Sequence, residues 1–133
     1  AFLPSEDELR GLFWGETHDL WEMAKRISDH GPRIIVIKRG ALGQFIYDAA
    51  AKRRYEIPAY PTRFVDPTGA GDAFCGGFLA GCQRTSEPVQ AAMHGNVSAS
   101  LKIEGTGPFS PLNGMPGLAE ARLRALQEMA REV

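Results

Sequence analysis

Ile34-Ile35-Val36-Ile37 is an unbroken apolar run inside residues 33–38. A strand with one wet face alternates apolar and polar residues. This run does not, so it reads as a strand buried on both faces of a parallel sheet. Cover for both faces must come from helices, and the flanking sequence offers them. Ser5-Glu6-Asp7-Glu8 has the S-x-x-E form of a capping box and predicts a short helix over residues 6–12. Residues 17–30, from Thr17 to His30, are amphipathic, with Leu20, Met23, Ala24 and Ile27 on one face and Gly31 as the stop. After the apolar run, Gly40 and Gly43 form a turn. Residues 44–48 and 53–57 then read as antiparallel strands around Ala49-Ala50-Ala51. Helices are predicted over residues 70–83, 88–103 and 118–131. The Gly/Pro-rich stretch 105–117 is a loop within the domain, because a helix returns after it. Ala1-Phe2-Leu3 opens the chain as part of a buried strand. Strands alternating with helices, plus one hairpin, imply a three-layer α/β/α fold.

Asp66-Pro67-Thr68-Gly69-Ala70-Gly71-Asp72-Ala73-Phe74 joins a short approach to a long apolar helix. Two glycines around a small residue let the backbone turn sharply and lie bare. A helix that begins there points unpaired N–H groups and the positive end of its dipole at whatever docks, and an anion is the natural guest. Pro67 holds Asp66 extended, and Thr68 is placed to cap the helix. Asp72 puts a carboxylate in the same turn, where an acid meant only to bind an anion would be counterproductive. An anion cradle beside a fixed carboxylate suits phosphoryl transfer to a hydroxyl: the N–H groups hold developing charge and the acid accepts a proton. A simpler reading stands beside it, since an Asp in a first turn stabilises a helix unaided. The dinucleotide fingerprint fails because Phe74 stands where its third glycine belongs, and no G-x-x-x-x-G-K-[ST] occurs.

Composition narrows the remaining classes. A chain of 133 residues with 44% hydrophobic residues supports one domain with a real core. Its net charge of −1, with both signs interspersed, gives no reason to expect nucleic acid or a membrane as partner. Cys75 and Cys82 fall on one predicted helix, two turns or roughly 10 Å apart, too far for a disulfide. They read as small core residues of a reducing, cytoplasmic compartment. His18, His30 and His94 have no ligand-like spacing, which argues against a zinc site.

The stretch from Val65 to Phe74, with Gly76-Gly77-Phe78 following, resembles the second signature of the ribokinase-like (phosphofructokinase-B type) sugar and nucleoside kinases. By that resemblance Asp72 is the catalytic base, and the N–H groups of Gly69, Ala70, Gly71 and Asp72 form the anion hole. Ser5-x-x-Glu8 is similar to the family's N-x-x-E element near magnesium and the nucleotide phosphates, with Ser in place of Asn; the capping box explains both residues equally well. Lys38-Arg39-Gly40-Ala41-Leu42-Gly43 resembles the turn that flanks the nucleotide. Lys38 stands where many relatives carry a hydroxyl residue, and either reaches phosphate or is solvated, the second being slightly favoured. Asn96 and Ser100 correspond to the stretch bordering adenine, or else are polar residues facing solvent on a packed helix. Residues 103–110, with Asp66 and Thr68, correspond to a loop that holds a monovalent cation such as K+ in many relatives.

The resemblance implies ATP and Mg2+ as cofactors and a hydroxyl of a sugar or sugar-like molecule as acceptor, with a keto-sugar-acid flavour in Lys38-x-Gly40-x-x-Gly43. Family members run to roughly twice this length. The chain is therefore expected to be the C-terminal nucleotide-binding and catalytic part, with the N-terminal sugar-binding and lid part absent and a homodimer open in the intact protein. A nucleoside acceptor, and a non-catalytic nucleotide-binding or regulatory module, are the alternatives.

Overall fold

Every second side chain of a strand faces the same layer, and the central strand sorts the core accordingly. In the computed structural model, which describes residues 1–14, 16 and 19–133, that strand is β1 (Ile34–Lys38). Ile35 and Ile37 face one way and pack with Leu9, Phe13, Leu20, Met23 and Ala24. These come from α1 (Glu6–Leu12) and the turn after it, and from α2 (Leu20–Ser28). Val36 faces the other way, into a larger cluster with Ile46, Ile57, Phe74, Phe78, Met93 and Leu126. That cluster is built by α3 (Ala70–Thr85), α4 (Pro88–Lys102) and α5 (Leu118–Met129). Two helices, a sheet and three helices make the expected three layers.

The sheet differs from expectation in direction. β1 pairs antiparallel with β2 (Gln44–Asp48), β2 with β3 (Arg53–Ile57), and β3 with the two-residue β4 (Arg131–Glu132). Connections of a few residues can close hairpins but not parallel crossovers. Among the described residues, parallel pairing occurs in the opening stretch, where the Phe2 N–H donates to the Ile34 carbonyl and the Val36 and Lys38 N–H groups donate to the carbonyls of Phe2 and Pro4. The hairpin bounds and α1 fall where the sequence puts them. The reading of residues 17–30 begins at Thr17 and His18, outside the described residues; the described helix starts at Leu20, with Asp19 Oδ1 accepting the N–H groups of Trp21 and Glu22. The last helix stops at Met129, and the Val133 N–H then donates to the Arg54 carbonyl, which draws the end of the chain onto the sheet.

α3 and α4 approach at glycine. A Cβ on Gly77 would stand 2.6 Å from the His94 carbonyl oxygen, and one on Gly95 would stand 2.8 Å from that of Phe74. These contacts pack α3 closely against α4. Cys75 is half-buried and Cys82 exposed, so neither is the core residue expected. Among the described residues no helix is long and apolar enough to cross a membrane.

Candidate functional site

Gly69 is the N-cap of α3 and has φ +79, in the left-handed region that glycine enters without steric cost. No side chain caps the helix, so Thr68 does not play the expected role. Its own N–H instead donates to Asp66 Oδ1 at 3.0 Å in a local turn. That bond, then the Thr68 hydroxyl and the field of Lys102, hold the Asp66 carboxyl below its usual range. Of the four expected anion-hole donors, the Ala70 N–H is engaged by the Pro67 carbonyl at 3.0 Å. Among the described residues, the N–H groups of Gly69, Gly71 and Asp72 have no acceptor. Asp72 lies exposed in the same first turn. The Val65 and Asp66 N–H groups both donate to the Ile103 carbonyl, at 2.8 and 3.1 Å, and tie the signature to the end of α4.

Lys38 lies at the end of β1. It is half-buried, and its ammonium would stand 3.6 Å from a Cβ on Gly71, over the glycine turn. Its Nζ also lies 3.9 Å from Cys75 Sγ. The Ser5–Lys38 bridge brings the start of α1 to the same place. There the capping box is complete: the Ser5 N–H donates to Glu8 Oε2 at 2.6 Å and the Glu8 N–H to Ser5 Oγ at 3.2 Å. The Ser5 N–H first, its hydroxyl next and more weakly the Lys38 charge hold the Glu8 carboxyl below its usual range. Among the described residues no three His, Cys, Asp or Glu side chains converge as a ready-made metal site.

A cleft of about 600 Å³ opens beside this turn, a volume within the range of small-molecule sites. Its walls include Lys38, Gly40, Gly43, Ala70, Gly71, Asn96 and Ser100, which the sequence nominated, together with Gln44, Tyr60, Thr62, Phe64 and Phe74. Glu8, Asp66, Thr68, Gly69 and Asp72 lie off that wall. Gly43 has φ +88, and a Cβ on it would drive into the Ile57 carbonyl and stand 2.6 Å from the Pro58 carbonyl carbon. The turn glycine therefore sets how close β2 and the segment after β3 come.

Asn96 and Ser100 are buried, not solvent-facing. Asn96 Nδ2 donates to Gln44 Oε1 at 3.0 Å and to the Pro58 carbonyl at 2.9 Å, and Oδ1 accepts the Tyr60 N–H at 3.1 Å. Neither amide hydrogen is left for a base; the side chain braces the wall. Ser100 Oγ donates to the Val97 carbonyl at 2.7 Å and accepts from Arg122 Nη1 at 2.8 Å. Arg122 Nη2 continues to Glu104 at 2.6 Å, Glu104 accepts the Thr62 hydroxyl, and the guanidinium lies 4.9 Å from the Tyr60 ring centre. This network fixes α5, α4 and residues 60–62 together behind the cleft. Sequence reading missed it and missed buried Lys102. The available signal was register: Arg122 falls in step with Leu118 and Leu126, and Lys102 in step with Ala91, Gly95 and Ala99.

Residues 1–113 match the model of the pfkB family of carbohydrate kinases. The chain is 34% identical over 119 residues to 2-dehydro-3-deoxygluconokinase of Dickeya dadantii, covering 87% of this chain and 37% of that protein. It is 38% identical over 78 residues to cytidine kinase of Thermococcus kodakarensis, covering 59% of this chain and 28% of that protein. Among solved structures it resembles an E. coli protein assigned as a ribokinase II and solved with ATP and Mg2+, with TM-score 0.77 and 26% identity over 92% of this chain and 38% of that one. The chain thus spans well under half the length of these relatives.

Proposed function

The chain belongs to the pfkB family of carbohydrate kinases, and on that premise we propose that it is the nucleotide-binding and catalytic portion of an ATP-dependent sugar or sugar-acid kinase. The observation that carries the reading is the uncapped N-terminus of α3. Three N–H groups without acceptors among the described residues lie there, with the Lys38 ammonium over Gly71, Asp72 exposed in the same first turn and a cleft of about 600 Å³ alongside. Asp72 accepts the proton of the attacking hydroxyl. The N–H groups of Gly69, Gly71 and Asp72 hold the charge that gathers on the transferring phosphoryl oxygens, with Lys38 balancing it from above. Gly40, Gly43 and the Asn96-braced wall shape the pocket for the adenosine end, while Ser100 anchors that wall through Arg122. Ala70 contributes shape, not a donor.

Glu8 is the acid placed to face the magnesium that accompanies ATP, through water, since its cap bond leaves one carboxylate oxygen unengaged. When bound with ATP, magnesium would supply neutralisation of the phosphate charge, and Glu8 is the residue of this chain that would help hold it. The likeness to a solved protein carrying ATP and Mg2+ supports both cofactors. The acceptor is recognised chiefly by the part of such kinases that this chain does not span. The longer match, to a 2-dehydro-3-deoxygluconokinase, favours a keto-sugar acid, and the match to a cytidine kinase keeps a nucleoside acceptor as the second reading. Two cysteines without disulfide partners fit a cytoplasmic setting.

The test is Asp72→Asn in the full-length kinase. Nucleotide affinity by calorimetry should stay within about threefold while kcat falls by about 10²–10⁴, the scale of a lost positioned base. Steady-state rates within a few-fold of wild type would remove Asp72 from that role. ATP binding without turnover across sugars, sugar acids and nucleosides would favour a non-catalytic module.

A further inference from the structure

Lys102 ends α4, yet its side chain is 4% exposed. Its ammonium donates to the Gly105 carbonyl at 3.3 Å, and its Cε would stand 3.8 Å from a Cβ on Gly69. Among the described residues no carboxylate lies within ion-pair distance of it. Asp66 is near enough to be stabilised in its charged form by it. A buried ammonium with one carbonyl partner is costly unless something compensates it, because an ammonium carries three donors. Two backbone segments close around this one. The loop after α4 supplies the Gly105 carbonyl, and the turn at 66–69 supplies Asp66 and the anion-binding glycine.

Loop carbonyls and a carboxylate are the donors a hard monovalent cation would use. Here a covalently held cation already reaches into that loop, so the residues do not fit K+ as an additional ligand. We propose that Lys102 is a positioning residue whose ammonium takes the place of a monovalent ion beneath the α3 turn. It holds residues 66–69 and 103–105 together and adds fixed positive charge on the side of the turn away from the phosphate. A bound phosphate then adds negative charge to the partial compensation that Asp66 provides. The effect on turnover rests on the kinase reading above; the effect on folding does not.

The experiment compares wild type, Lys102→Ala and Lys102→Met in the full-length chain, at constant ionic strength, in KCl or choline chloride. Melting temperature and the kcat for ATP consumption are read in both salts. Wild type should be indifferent to the salt, within about twofold in kcat. Both variants should lose about tenfold in choline chloride, the scale of one fixed charge near a phosphate. Lys102→Ala, which opens room for an ion, should regain activity and melting temperature in KCl alone. Lys102→Met, which keeps the volume filled, should not. Potassium activation of wild type by tenfold or more would overturn the proposal. So would a Lys102→Met variant equal to wild type, or losses in Lys102→Ala that KCl does not restore. If wild type turns over nothing in either salt, the kinase reading fails, and the potassium-specific recovery of melting temperature in Lys102→Ala decides for or against Lys102.

Discussion

Replacing Arg122 by Met removes the guanidinium and keeps most of the stem. In the folded protein the guanidinium makes two charge-assisted hydrogen bonds, to Ser100 at 2.8 Å and to Glu104 at 2.6 Å, and lies over Tyr60. Bonds to charged groups contribute about 1.5–3 kcal/mol each, and a partly desolvated cation–π contact about 1 kcal/mol. Two observations lower the sum. Arg122 Nε is buried without a partner, so removing it relieves an unsatisfied donor. Glu104 is 31% exposed and keeps the Thr62 bond, so it rehydrates partly and escapes the full penalty of an orphaned buried charge. The remainder is about 2–3 kcal/mol. Urea unfolding followed by circular dichroism should show that loss as a lower midpoint at unchanged slope. The same variant should weaken nucleotide binding, because Tyr60 and Thr62 form part of the cleft wall. A loss below about 0.5 kcal/mol, the range of ordinary surface substitutions, would mean that the network orders nothing. Additivity of Arg122→Met with Glu104→Gln would also refute direct coupling.

Gly43→Ala should cost more than the usual 1–3 kcal/mol of overpacking, since a Cβ there meets backbone on β3's exit and the position has φ +88; a thermal shift within 1 °C of wild type would contradict it. Acid should unfold the protein through Glu104 and Glu6. Burial pushes the Glu104 carboxyl up, but its bonds from Thr62 and Arg122 outweigh that and hold it below 4.5; the Arg39 bond does most to hold down Glu6. With folded values below unfolded ones, the unfolded chain takes up protons first as pH falls. The associated stability is therefore complete above about pH 4.5 and is lost below it as pH falls through the folded values. Glu104→Gln should flatten that limb in a pH series of urea midpoints, and an unchanged limb would exclude Glu104 as a contributor.

What the sequence settled by itself is what short-range physics settles. The Ser5–Glu8 capping box forms as read because both partners sit within one turn. The hairpin at 44–57 has the strand bounds read from the sequence around Ala49-Ala50-Ala51. The bare helix start at Gly69 and Gly71 follows from residues a few positions apart. Membership of a kinase family was legible for the same reason, since its signature is one continuous segment. Other features depend on which surfaces meet. Asn96 joins Gln44, Pro58 and Tyr60 across 36 or more positions. Arg131 and Glu132 extend the sheet because β3 has an open edge for them. Lys38 lies over Gly71 because β1 ends beside the start of α3, and Lys102 is buried against Gly69 because the end of α4 meets that same start. A charged residue on a helix carries no local mark of whether it will face water or be buried. That choice is made by the elements packed against it, whose desolvation and hydrogen-bond offers exist only after the fold has formed.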